Sequence, residues 1–287
     1  MSDQPRSVER ANAFLGSIVL AAVLLASGTS AWALDETRYP DWKGRWLRVS
    51  SGNYDPTKPP GLPQKPPLTP EYQAVFEASV ADQAAGGQGN NPMAGCMPPG
   101  MPRMMILYGL GVEILVTPST TYMVFGEPMG QLRRIYTDGR DFPKNDEPSY
   151  MGYSIGKWID ENQDGKYDVL EVETRNFKGP RTYENSGILL HQDNQSIIKE
   201  RFYLDKANPD VLHIEITSTD HALTRPWTVV KTFRREQNVQ WAEYDCAESN
   251  NHVAIGKEYY FLSADGYLMP TRKDQPPPDP RYFKTGK

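Results

Sequence analysis

Cysteine, histidine and excess positive charge are what this chain has least of. Only Cys96 and Cys246 occur among 287 residues. That is too few for a four-cysteine zinc site, and no histidine stands at ligand spacing from either. The four histidines, His191, His213, His221 and His252, form neither a His-x-His nor an HExxH arrangement. Lysine and arginine total 31 against 36 acidic residues, a net charge of -5. Without a basic stripe to neutralise phosphates, nucleic acid is excluded as a partner. Beyond residue 33 no apolar run approaches the roughly 20 residues of a spanning helix. Fixed-period repeats are also missing, and with them propellers and solenoids.

The N-terminus has its own logic. Arg6 and Arg10 precede the apolar run FLGSIVLAAVLLASGTSAWA, which closes on Ala31-Trp32-Ala33. A basic start, a short apolar centre and small residues at the exit make a secretory signal peptide. The uninterrupted apolar centre, about 15 residues at most, falls short of a membrane span. Cleavage between Ala33 and Leu34 is expected, giving a periplasmic or secreted chain. Its net charge is unchanged, because the leader carries two residues of each sign. In an oxidising compartment an even cysteine count predicts one disulfide, Cys96–Cys246. Closing a loop of about 150 residues contributes roughly 5 kcal/mol at best on chain entropy. Two buried free thiols are the alternative.

Residues 54–70, YDPTKPPGLPQKPPLTP, are proline-rich and read as an extended arm. Thr69 then stands as an N-cap, Pro70 in a first turn and Gly86 at an end. Tyr72, Val75, Phe76 and Val80 between them recur at helical spacing, so one amphipathic helix is expected. A Gly/Pro/Met loop follows, its methionines read as irregular core filler. From Met104 onward the pattern becomes short alternating runs: MMILYG, VEILVTP, TYMVFG, LRRIYTD, YSIGKWI, YDVLEVETRNF, SIIKERFYL, VLHIEITST, WTVVKTFRR and VQWAEYDC. Turn signals separate them and no helical pattern intervenes, which predicts an all-β antiparallel barrel or sandwich. The expected organisation is a signal peptide over 1–33 and an arm, one helix and the loop over 34–103. An antiparallel β domain over 104–262 and an extended proline-rich tail over 263–287 complete it.

The stretch DENQDGKYDVLE, 160–171, is the most concentrated polar feature. Asp160, Asn162 and Asp164 occupy the first, third and fifth places of a calcium loop, Gly165 the sharp turn, Lys166 the carbonyl position and Asp168 the ninth. Its flanks alternate like strands, so it is a loop in a hairpin and not an EF-hand. It resembles the calcium loops of FG-GAP repeats, and that likeness implies Asp168 as a direct ligand and Glu171 as a strand residue. The alternative is a solvated Asp-Gly turn.

Other motifs carry chemistry more loosely. GYSIG, 152–156, matches a nucleophile elbow, but extended residues follow Ser154 where a helix is needed, so it reads as a sheet serine. Gly44-Arg45-Trp46 and Gly156-Lys157-Trp158 resemble the G-x-W that opens lipocalin barrels, which favours a calycin-like barrel. Alternation places Glu200 among Ile198, Phe202 and Leu204 on one face, and Asp220 in phase with Leu212, Ile214 and Ile216. A buried acid is costly unless paired; an arginine such as Arg134 is the expected partner. His191, Asp193, His221, Arg225 and Trp227 gather at the strand ends, where they could support acid–base chemistry or hold an anionic ligand.

CMPPGMPRMM, RRIYTDGRDFP, GYSIGKW, VLEVETRNFKGPRTY, IIKERFYL, ITSTDHALTRPWTV and CAESNNHV together resemble a large family of secreted bacterial all-β proteins. The likeness covers roughly residues 96–252 and implies fold and export, with no assigned activity to carry over. Many members have a short Gly-Asp turn where this chain has its acidic loop, which makes calcium a local addition. Two functional classes follow. One is a non-catalytic binding protein for a small hydrophobic ligand or an envelope protein. The other is an envelope hydrolase or isomerase using Glu200, His191 and Asp220, with Arg225 and Trp227 as ligand-binding candidates.

Overall fold

Period-two alternation builds strands, and a ring of strands hides both the apolar face and the sheet edges at once. The computed structural model describes residues 34–49, 66–106, 111–126, 132–184, 186–238, 252–255, 258–263 and 266–276. The signal segment, residues 54–65 of the arm, the expected strand VQWAEYDC and Cys246 lie outside them.

Nine strands follow one another round a closed barrel: β1 (Arg45–Arg48), β2 (Val112–Val116), β3 (Thr120–Phe125), β4 (Leu132–Tyr136), β5 (Tyr153–Ile159), β6 (Val169–Arg175), β7 (Ile197–Leu204), β8 (Val211–Thr219) and β9 (Trp227–Glu236). The all-β barrel expectation holds. β1 closes the ring on β9 from Arg45↔Glu236 to Arg48↔Phe233. All junctions are antiparallel except β4–β5, which is parallel and only two pairs long, Ile135↔Ser154 and Tyr136↔Ile155. β7 and β8, by contrast, pair over eight residues. A separate three-stranded sheet holds β10 (His252–Ile255), β11 (Glu258–Leu262) and β12 (Leu268–Pro270). The segment read as arm and loop therefore also supplies a barrel strand, and the segment read as tail supplies β12.

The inward phase is the expected one. Ile198, Glu200 and Phe202 are buried on β7, and Leu212, Ile214 and Ile216 on β8, with Asp220 just beyond. Trp46, Val112, Met123, Ile135, Leu170 and Val229 complete the wall's inner layer. Trp46 is fully buried, donates its indole N–H to Trp42 O at 3.0 Å, and carries the Arg235 guanidinium over its ring.

The single long helix among the described residues, α1 (Pro70–Ala84), starts as expected: the Thr69 side chain accepts from Tyr72 N and Pro70 occupies the first turn. Its buried residues are Phe76 and Ser79, while Val80 is 41% exposed. Ser79 takes the inward place because its hydroxyl reaches Ser186 O at 3.1 Å. MMILYG, expected as a strand, begins instead as a short helix, α2 (Arg103–Ile106), with all four residues buried. A run apolar on every side has no period to distinguish the two.

One end of the barrel carries a cap. Thr69 N–H donates to Ala222 O at 2.9 Å and Thr224 N–H to Pro67 O at 2.7 Å, anchoring the arm beside the β8–β9 connection. Two buried arginines then tie α2 and the chain before it to residues 181–196. Arg103 donates to Thr182 Oγ1 at 2.6 Å and Asn91 Oδ1 at 2.9 Å, and Arg181 to Met101 O at 3.0 Å and Ser196 Oγ at 2.8 Å. Burial pulls both guanidinium pKa values down to about 10, which leaves them charged at neutral pH.

Candidate functional site

Glu200 sits inside the barrel with its side chain fully buried, in a fork-to-fork pair with Arg133: Nη1 to Oε1 at 3.0 Å and Nη2 to Oε2. Arg133 Nη2 also donates to Thr174 Oγ1 at 2.9 Å, and its Nε reaches Ser154 Oγ at 3.3 Å. Ser154 and Thr174 bond one another at 2.9 Å. The expected partner Arg134 points outward, because on β4 it is Arg133 and Ile135 that share the inward phase. Ser154, 2% exposed and second in β5, is the sheet serine expected.

His191 and Asp220 do meet, through the backbone: His191 N–H donates to Asp220 Oδ1 at 2.9 Å. Ser196 Oγ donates to Asp220 Oδ2. Four residue steps along the chain into β7 separate Ser196 from Glu200, about 13 Å at the usual strand rise. The three candidate catalytic residues therefore do not converge. Trp227 is buried against Tyr183, ring centroids 4.4 Å apart, and Arg225 is exposed. Nearby, Lys231 is 1% exposed and burial, then the Arg48 charge, pull its pKa down to about 7, against the opposing pull of Glu184.

The acidic loop forms a closed set of side-chain-to-backbone bonds. Asp160 accepts from Asp164 N at 3.1 Å and Gly165 N at 2.9 Å, Asn162 from Asp164 N at 3.1 Å, Asp164 from Lys166 N at 2.8 Å and Asp168 from Glu161 N at 3.0 Å. Each oxygen keeps a second lone pair. The loop also delivers Tyr167, whose N–H donates to Arg38 O at 2.7 Å.

Tyr167 lies on a feature that single-sequence reading missed. Beyond Tyr136 the β4–β5 ladder stops, leaving Gly156–Ile159 paired with β6 alone. A groove of about 450 Å³ lies at this gap, bounded by Tyr39, Thr137, Arg140, Gly156, Lys157, Trp158 and Tyr167 among others. Trp158 stands edge-on to Tyr39 at 5.1 Å and packs on Trp42 at 4.9 Å and Tyr167 at 6.0 Å. Two buried polar atoms of these residues, Trp158 Nε1 and Thr137 Oγ1, have no hydrogen-bond partner among the described residues. Such atoms normally find one. Gly156 allows the close seam: a Cβ there would lie 2.7 Å from Ile135 Cγ2. A second depression of about 370 Å³ lies over the outer face of β5–β8. Its Glu173, Lys199 and Arg201 are engaged with Arg175, Glu173 and Glu161 respectively, as on a solvated sheet face.

Comparison with known proteins finds no matching family model, curated protein or solved structure. No helix among the described residues is long and apolar enough to cross a membrane.

The central ion pair makes a sharp prediction. Glu200→Ala leaves a buried guanidinium without its carboxylate and should cost about 3–5 kcal/mol in urea unfolding. Arg133→Met combined with Glu200→Leu should recover most of that loss. A single-variant cost below about 1 kcal/mol would contradict a buried, paired Glu200.

Proposed function

We propose that this is an exported, non-catalytic binding protein whose small ligand lies in the groove at the β4–β5 seam. The observation that carries the reading is a groove of small-molecule size whose lining brings Trp158, Tyr39 and Tyr167 together. The groove's volume is within the range of small-molecule sites. Its chemistry suits a flat, largely apolar body on Trp158, Tyr39 and Tyr167. Lys157 at the rim favours an anionic end, whereas Arg140 there is paired with Asp138. The alternative, an envelope hydrolase or isomerase, loses support from the separation of Glu200 from His191 and Asp220. A lipocalin-like relation is supported by Gly44-Arg45-Trp46, which places a buried tryptophan on the closing strand.

Native mass spectrometry of freshly purified protein, with solvent extraction of any bound mass, tests the binding reading. A co-purifying small molecule that is lost in folded Trp158→Ala is the expected result. A bound mass indifferent to Trp158→Ala would move the site, and hydrolase turnover abolished by Glu200→Gln would replace binding with catalysis.

Export, the disulfide and calcium belong to the same proposal. An envelope location is supported by the leader's residue pattern, and the Cys96–Cys246 bridge by the even cysteine count in an oxidising compartment. Calcium at Asp160, Asn162, Asp164 and Asp168, with the Lys166 carbonyl, would tighten the hairpin that delivers Tyr167. Protein from the periplasm should begin at Leu34 and yield one linked Cys96–Cys246 peptide without reductant. Millimolar calcium should raise its melting temperature by about 2–6 °C, an effect lost in Asp160→Asn. A retained Met1, two alkylatable thiols or an unmoved melting curve would each refute its respective part.

A further inference from the structure

We propose that His191, Asp193 and His221 form a site for a divalent transition-metal ion of the zinc class. One potential ligand atom from each lies within 4.8 Å of the others, the sole such group among the described residues. A tetrahedral zinc ion with bonds near 2.0–2.1 Å spaces its ligand atoms about 3.3 Å apart. His191 Nδ1 and Asp193 Oδ1 already stand 3.3 Å apart, and His221 Nδ1 contacts Asp193 Oδ2. Two imidazoles and one carboxylate suit zinc and its neighbours, whereas calcium and magnesium demand oxygen throughout.

The site is assembled from two loops, and one buried carboxylate holds both. Asp220, 6% exposed, accepts the His191 N–H at 2.9 Å and the Ala222 N–H at 2.8 Å through the same Oδ1. Its other oxygen takes the Ser196 hydroxyl, which in turn accepts from buried Arg181 at 2.8 Å. Supporting groups of this kind orient metal ligands without touching the ion. Tyr72 of α1 packs near the His191 ring at 5.8 Å. The Asp193 N–H now donates to His191 Nδ1 at 3.2 Å. The ion therefore enters by replacing that bond or through Nε2. His221 is 65% exposed, which leaves an entry path, and a fourth position stays open to water. By strand direction the site is at the start of β7, away from the calcium-type loop between β5 and β6. An ion there would clip the turn before β7 to the β8–β9 connection.

The test uses the untagged full chain, stripped with chelator and titrated with zinc chloride in a calorimeter, with a parallel thermal melt. The expected result is one ion per chain and a melting temperature raised by several degrees, with no effect of Asp160→Asn on zinc affinity. His221→Ala and Asp193→Asn should each weaken binding roughly tenfold or more. His221 is exposed, so its variant should keep the parent's circular dichroism. No saturable heat up to millimolar zinc would overturn the proposal. So would zinc binding that survives a folded His191→Ala, His221→Ala double variant.

Discussion

A closed ring of nine strands cannot reverse direction at every step. Antiparallel neighbours alternate, so an odd number forces at least one parallel junction. Here that junction is β4–β5, two residue pairs long where β7–β8 has eight. A parallel pair cannot be joined by a tight hairpin, so residues 137–152 must return the chain to the barrel's other end before β5 begins. Once Tyr136 leaves, the remainder of β5 has a neighbour on one side only. The gap is filled from outside the barrel by Tyr39, and by Tyr167 from the β5–β6 hairpin. The aromatic groove is thus a consequence of ring parity, and the acidic loop is what places one of its walls.

The interior answers a different constraint. A barrel this narrow is filled by side chains, and any charge among them must be matched. Arg133 and Glu200 match one another completely, with Ser154 and Thr174 taking up the remaining donors. An arrangement so closely paired rigidifies the wall, and its full burial keeps it from a substrate. Polar chemistry on the surface lies elsewhere, at the capped end, where two histidines share a carboxylate.

The parts of this fold legible in the residues were those with a period. Alternation in SIIKERFYL and VLHIEITST placed Glu200 and Asp220 inward, and Thr69-Pro70 marked where α1 begins. Alternation cannot say which strands are neighbours, so the β4–β5 seam stayed hidden in LRRIYTD and GYSIGKW. It also left a one-residue ambiguity between Arg133 and Arg134, which only the register of β4 resolves. His191, Asp193 and His221 were visible as a group at strand ends. Their common carboxylate geometry was not, because 28 residues separate Asp193 from His221. Trp158 stood out only within a G-x-W motif and Tyr167 not at all; only their shared gap makes them a lining.

Hydrogen exchange by mass spectrometry, resolved to peptides, tests the dependence of the groove on the parallel seam most directly. Peptides covering Leu132–Tyr136 and Tyr153–Ile159 should exchange faster than those covering Ile197–Leu204 and Val211–Thr219. A bound ligand should slow the Tyr153–Ile159 peptide selectively. Equal protection of the seam and of β7–β8 would contradict the claim that this junction is the barrel's open wall.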